Sequence, residues 1–212
     1  MKNKFDKTLI ISTILCLAPM ILTAILYEKL PDQMAVHWNS NGIPDNFASK
    51  AFAGYGLPVF MAAINLFSQI LMNNDPKRSN YPKVLKSMLR WLIPAISLIL
   101  VPITLFIALG AEIDITLYMP TFVGLIFIIV GNYLPKTKQN YTLGIKLPWT
   151  FNSEENWNKT HRLAGYVWFI GGICIILSSW LSVHRFIISI VILLVLVTVP
   201  TVYSYILYKK GI

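Results

Sequence analysis

Three histidines, His37, His161 and His184, and two cysteines, Cys16 and Cys174, are the residues of this chain best suited to hold a metal or attack a substrate. Their spacing suits neither task, because no H-E-x-x-H and no paired His/Cys grouping supplies metal-ligand geometry. A G-x-S-x-G elbow and a Walker A loop are absent as well. Two acidic pairs could be imagined as acid and base, Asp32 with Asp45 and Glu154 with Glu155. Adjacent glutamates at a helix start far more often cap it and meet its dipole. The sequence therefore offers no catalytic constellation, no metal site and no need of a cofactor, and the chain is expected not to be an enzyme.

Binding chemistry is concentrated in two polar passages. The first is "LPDQMAVHWNSNGIPDNFASK", Leu30–Lys50. Asn41-Gly42 signals a tight turn, and Ile43-Pro44 imposes extended backbone after it. Val36, His37 and Trp38 on one arm and Phe47 on the other are placed to lean on a bilayer interface. His37, Trp38 and Asn39 supply stacking area and hydrogen-bonding groups for a peptide or a lipid headgroup. A tryptophan at the membrane interface beside a lone surface histidine would explain the same residues without a ligand.

The second passage is "GIKLPWTFNSEENWNKTHRLAG", Gly144–Gly165. Leu147-Pro148-Trp149 is expected to be extended, since the residue before proline avoids helix. Asn152 with Glu155 matches a capping box, and the helix that starts there runs on into the next apolar run. Trp157, His161, Ala164 and Trp168 then share one face, while Glu155 and Lys159 pair on another. The passage reads as an interfacial elbow, with Trp149 and Trp157 at headgroup depth and Lys146, Lys159 and Arg162 at phosphate level.

The elements that position these passages follow from composition. Of 212 residues, 56% are hydrophobic and 13% charged, about half the charge of ordinary soluble domains. A membrane-crossing helix needs roughly 20 mostly apolar residues. Six runs qualify: Thr8–Tyr27, Ala51–Met72, Trp91–Leu109, Thr116–Leu134, Ala164–Ser182 and Phe186–Leu207. The first is too long for a signal-peptide core and has no small-residue cleavage site after it, so it reads as a retained helix. Cys16 and Cys174 fall inside these runs and make no disulfide framework.

Basic residues set the expected orientation. Of the 18 lysines and arginines, only Lys29, Lys50 and Arg185 fall on one side of the predicted topology. The other side collects the rest, from Lys2, Lys4 and Lys7 through Lys77, Lys136, Lys138, Lys146 and Arg162 to Lys209 and Lys210. Cytoplasmic loops accumulate lysine and arginine, so both termini are expected in the cytoplasm. The net charge of +9 is on this view a topology signal that also attracts anionic lipids, and direct nucleic-acid binding is not expected. The expected fold is all-α, a polytopic six-helix membrane bundle. Residues 1–90 with outer loop 28–50 would form one membrane domain, and residues 91–212 with a cytoplasmic elbow at 135–165 another.

Proline interrupts five of the six spans, at Pro19, Pro58, Pro94 with Pro102, Pro120 and Pro200. Each proline frees a carbonyl, which leaves two readings: kinks that tighten a bundle, or a cavity lined by exposed carbonyls. Asn65, Ser68, Gln69 and Asn132 are among the few polar residues within the spans, and amides there commonly join helices. No charged side chain lies deep in a span, which disfavours a proton-driven carrier. A small transporter or lipid binder with a pocket at Asn65, Gln69 or Asn132 remains the alternative to a binding role for the two passages.

Taken together the passages are familiar. "AVHWNSNGIPDNFASK" resembles the outer loop of a small bacterial membrane domain of undefined role, the DUF1648 type. "GNYLPKTKQNYTLGIKLPWTFNSEENWNKTHRLAG" is similar to the signature of the SdpI family of immunity proteins. The resemblance implies protection of a cell against a secreted, membrane-active peptide toxin. It also implies toxin recognition outside and capture of a transcriptional repressor inside. The candidate binding residues of the outer loop are His37, Trp38, Asn39, Gly42, Pro44, Ser49 and Lys50. In the elbow the resemblance maps onto Asn132, Asn140, Gly144, Pro148, Trp149, Thr150, Trp157, Thr160, His161 and Gly165. Lys146 departs from the arginine expected there, and keeps the charge without the two-pronged geometry.

Overall fold

The computed structural model describes residues 6–181 and 185–212. Lys2, Lys4, His184 and most of the turn expected at Val183–Arg185 lie outside the described residues. In chain order the elements are α1 (Lys7–Leu17), α2 (Pro19–Leu26), β1 (Gln33–Trp38), β2 (Pro44–Ser49), α3 (Leu57–Asn74), α4 (Lys83–Ala108), α5 (Ile115–Tyr133), α6 (Pro148–Asn152), α7 (Glu154–Trp180) and α8 (Arg185–Lys209). Among the described residues, six helical stretches of 22 to 27 residues are long and apolar enough to cross a membrane, and each overlaps one of the six predicted runs. Large apolar side chains such as Ile14, Ile25, Phe60, Phe67, Leu194 and Val197 stand exposed along them. Water would penalise that surface, whereas hydrocarbon accepts it.

The chain packs into two compact units, Met1–Asn74 with Lys86–Ile115, and Asp75–Leu85 with Thr116–Ile212. The first holds an apolar core of Leu30, Met34, Ala53, Val101 and Leu105. Asp6 caps α1 by accepting the Leu9 N–H at 2.8 Å, and its other carboxylate oxygen pairs with Arg90 Nη2 at 2.7 Å. The same Arg90 nitrogen donates to Asn73 Oδ1 at 2.9 Å, so one guanidinium ties the start of α1 to the end of α3. Asn65 and Gln69 on α3 are fully enclosed and donate to Ser12 Oγ, with Asn65 also reaching Thr13 Oγ1. These amides join α3 to α1.

The expectation of an all-α fold is corrected at one place, between α2 and α3. β1 and β2 form an antiparallel hairpin, with Met34 opposite Ala48, Ala35 opposite Phe47, His37 opposite Asn46 and Trp38 opposite Pro44. The turn lies where Asn41-Gly42 predicts it, with Gly42 at φ 74°. What sequence reading lacked was the pairing of its arms, because only Met34 is deeply buried and the apolar alternation is weak.

In the second unit α7 packs on α5 and on α8. A Cβ at Gly172 would sit 2.5 Å from the Gly124 carbonyl oxygen, and one at Gly131 would sit 2.9 Å from that of Gly165. Glycine at these four positions lets the α5 and α7 backbones touch.

The carbonyls freed by proline do not line a cavity where their partners are seen. Pro58 frees the Gly54 carbonyl, and the Thr23 hydroxyl lies 3.0 Å from it. Pro200 frees that of Leu196, which accepts the Trp168 indole N–H at 3.0 Å. The Leu15 carbonyl, freed by Pro19, accepts the Ala18 N–H at 3.2 Å. These prolines therefore support the tightened-bundle reading.

Candidate functional site

The elbow is built from the backbone outward. Asn140 is fully buried, and its Oδ1 accepts the N–H groups of Thr142 and Leu143 at 3.0 and 2.6 Å. This side-chain turn leads into Gly144, whose φ of 109° favours glycine. A Cβ there would also lie 2.3 Å from His161 Nε2. The next residue, Ile145, donates its N–H to that Nε2 at 2.9 Å. His161 Nδ1 lies 2.8 Å from the Trp157 carbonyl, which can only accept. The two contacts assign a neutral imidazole with its proton on Nδ1.

Trp157 stacks on His161 with ring centroids 4.1 Å apart. It is fully buried and donates its indole N–H to the Thr137 carbonyl at 2.7 Å. Trp157 is thus an internal strut, which corrects its expected place at headgroup depth. The arm is extended at Leu147 only, and Pro148 opens the short helix α6. Thr150 Oγ1 accepts the Leu147 N–H at 2.9 Å and lies 3.0 Å from the Ile145 carbonyl.

The cap of α7 is Ser153 instead of Asn152, with Ser153 Oγ accepting the Asn156 N–H at 3.1 Å. That one-residue shift places Asn156 at the third helical position and frees Glu155 for Lys159, 2.7 Å away. Asn156 is buried and makes every bond its amide allows. It donates to the carbonyls of Ser204 and Ile212 and accepts from the hydroxyls of Thr160 and Ser204. Ser204 in turn accepts the Trp149 indole N–H at 2.7 Å, and Trp149 stacks on Tyr208. The polar cluster on α7 and the aromatic cluster on α8 therefore meet at one serine.

Of the residues singled out in this passage, Asn140, Gly144, Trp149, Thr150, Trp157, Thr160 and His161 come together. Gly165 serves the α5 crossing, with Pro135 packed against it. Pro148 is exposed, as is Lys146, whose Nζ lies 3.5 Å from the Tyr141 carbonyl. Asn132 is exposed on α5 and joins none of this.

Three contributors escaped sequence reading: Asn156, Gln139 and Asp75. Gln139 Nε2 reaches the carbonyls of Thr150 and Phe151, while its Oε1 accepts from Lys77 Nζ at 2.7 Å. Asp75 is 5% exposed. Burial alone would raise its pKa, but hydrogen bonds from Tyr81, Lys77, Thr142 and Tyr141 outweigh that and hold its carboxyl below the usual carboxylate range. Burial and the adjacent carboxylate push the Tyr81 phenol up. The available signal was a lone acid in the basic loop "NNDPKRSNYPK".

The hairpin is organised differently. Asn39 Oδ1 accepts the N–H groups of Asn41 and Ile43 and shapes the turn around Gly42. His37 Nδ1 lies 2.6 Å from Asp45 Oδ1, and both side chains are well exposed. Lys50 closes the base, 3.2 Å from Asp32 Oδ1 and over the Tyr27 ring. Ser49 Oγ accepts the Phe52 N–H and so starts the helical turn that leads into α3. Pro44 is exposed opposite the half-buried Trp38.

Residues 136–204 match the SdpI/YfhL protein family, and residues 14–62 match a domain of unknown function, DUF1648. The chain is 31% identical over 202 residues to the immunity protein SdpI of Bacillus subtilis (strain 168), covering 95% of this chain and 96% of that protein. No solved structure matches. An identity of that level, sustained over nearly the full length of both proteins, establishes that the chain belongs to the SdpI family.

Proposed function

We propose that this chain is a multi-pass protein of the bacterial cell membrane that protects its host against a secreted, membrane-active peptide. The observation that carries the reading is its near-full-length identity with an immunity protein. The test is expression in a host sensitive to such a peptide. Survival should rise with the amount of protein in the membrane, and survival unchanged across several candidate peptides would overturn the reading.

The hairpin is the element suited to meet the peptide, since His37, Asn39, Gly42 and Pro44 surround an exposed tip and Trp38 adds aromatic area. The elbow is suited to a cytoplasmic protein such as a repressor, through exposed Lys146, Pro148 and Tyr141. Both termini and the elbow lie in the cytoplasm on this reading, supported by the distribution of lysine and arginine. Impermeant thiol labelling of Asn41→Cys and Lys146→Cys in intact cells tests it. Labelling of Asn41→Cys alone is expected, and labelling of both from outside would sink the topology.

A further inference from the structure

Asp75 lies outside the family motif and outside the spans, and it has no role in the reading above. Among the described residues its carboxylate receives four donors, two backbone N–H groups and two hydroxyls. Oδ1 accepts the Lys77 N–H at 2.7 Å, while Oδ2 accepts the Tyr81 hydroxyl, the Tyr141 N–H at 3.0 Å and the Thr142 hydroxyl at 2.9 Å. Two of these donors lie in the loop that contains Asp75. The other two immediately precede the turn at Gly144 that delivers the Ile145 N–H to His161.

The same loop grips the elbow at a second point, where Asn80 Nδ2 donates to the Gln139 carbonyl at 2.7 Å. An ionised carboxylate meets all four groups as an acceptor, and the two backbone N–H groups, one on each oxygen, can only donate. The carboxylate offers about four acceptor positions, whereas an amide of equal shape would turn an NH2 group toward N–H or hydroxyl donors.

We propose that Asp75 is the positioning residue of the elbow: its charge seats residues 139–146 and thereby sets the surface around Tyr141 and Lys146. Asp75 is also the residue that follows α3, and α3 follows the hairpin in the chain. The functional half of the proposal rests on the reading of the elbow as a contact surface, whereas the positioning half does not.

Hydrogen exchange of the full chain in lipid nanodiscs separates the two. Asp75→Asn should speed exchange of the amides from Tyr141 to Ile145 by about tenfold or more, with those of α7 unchanged. Tyr81→Phe and Thr142→Val, which each remove one donor and keep the carboxylate, should give the same local effect at a few-fold level. They also stand in if Asp75→Asn fails to accumulate. A Gly-Ser-Gly insertion between Asn74 and Asp75 should leave the elbow protected, because the four bonds do not depend on α3.

Exchange within about twofold of the parent in Asp75→Asn overturns the proposal, as does an equal rise along α7. Loss of protection in the insertion variant as large as in Asp75→Asn also overturns it, since the chain connection would then do the seating. Local exchange raised with survival of a sensitive host unchanged would leave Asp75 as the seat and remove the contact role of the elbow.

Discussion

In the elbow, Asn140, Thr150, Asn156, Trp157, Thr160 and His161 turn inward, and their polar atoms end on backbone groups or on one another. In the hairpin, His37, Asn41, Asp45 and Phe47 stand out from the backbone, and their partners are few. Both passages are rich in tryptophan, histidine and asparagine, so composition does not separate them. What separates them is the fate of the backbone. The elbow makes several irregular turns, and each leaves N–H and carbonyl groups that only nearby side chains can meet. The hairpin satisfies its backbone by strand pairing, which leaves its side chains available. A polar motif in irregular chain is thus first a means of building that chain, while one on a regular ladder is free to act.

Substitutions should sort along this line. Gly144→Ala is expected to do most damage, because it strains a positive φ and drives a methyl group into His161. A loss of about 3 kcal/mol is expected, read as a drop of roughly 6–12 °C in the melting temperature of the purified protein. His161→Ala should follow at about 2–3 kcal/mol, since it leaves the Ile145 N–H without its acceptor beside an unfilled space. A melting temperature equal to that of the parent in either variant would break the comparison.

Next comes Thr150→Val, expected to cost about 1–2 kcal/mol through the Leu147 N–H and the Ile145 carbonyl. His37→Ala on the hairpin should change stability by less than about 0.5 kcal/mol yet lower survival in a peptide challenge. Unaltered survival there, with the amount in the membrane unchanged, would remove the hairpin from the contact surface. The smallest expected effect is on pH. The folded pKa of Asp75 lies below the usual value near 3.8. Its contribution is therefore present in full above that value and lost only as pH falls through the folded pKa. Exchange at Tyr141, corrected for intrinsic rate, should stay flat between pH 5 and 8.

The six spans were legible because hydrocarbon imposes a length and an apolarity that few other settings share. The turn at Asn41-Gly42, the Glu155–Lys159 pair and the shared face of Trp157, His161 and Ala164 were legible because each depends on neighbours in sequence. The helix cap was read one residue early, since Asn152 and Ser153 are both good caps and Asn152 closes α6. Trp157 was misplaced because an interfacial and an enclosed tryptophan carry the same local signature. Asp75, Gln139 and Asn156 went unseen for one physical reason. Their bonds reach across dozens of residues, and nothing in a local window encodes the partner.

The bond from Trp168 to the Leu196 carbonyl has a consequence for biogenesis. Alone in the bilayer, α8 would expose an unmet acceptor one turn before Pro200, at a depth where no water can answer it. α8 should therefore wait at the insertion machinery, or cross together with its predecessor, until the indole arrives. Membrane integration of the last span then becomes a paired event, and Trp168→Phe would be seen first as a delay in assembly.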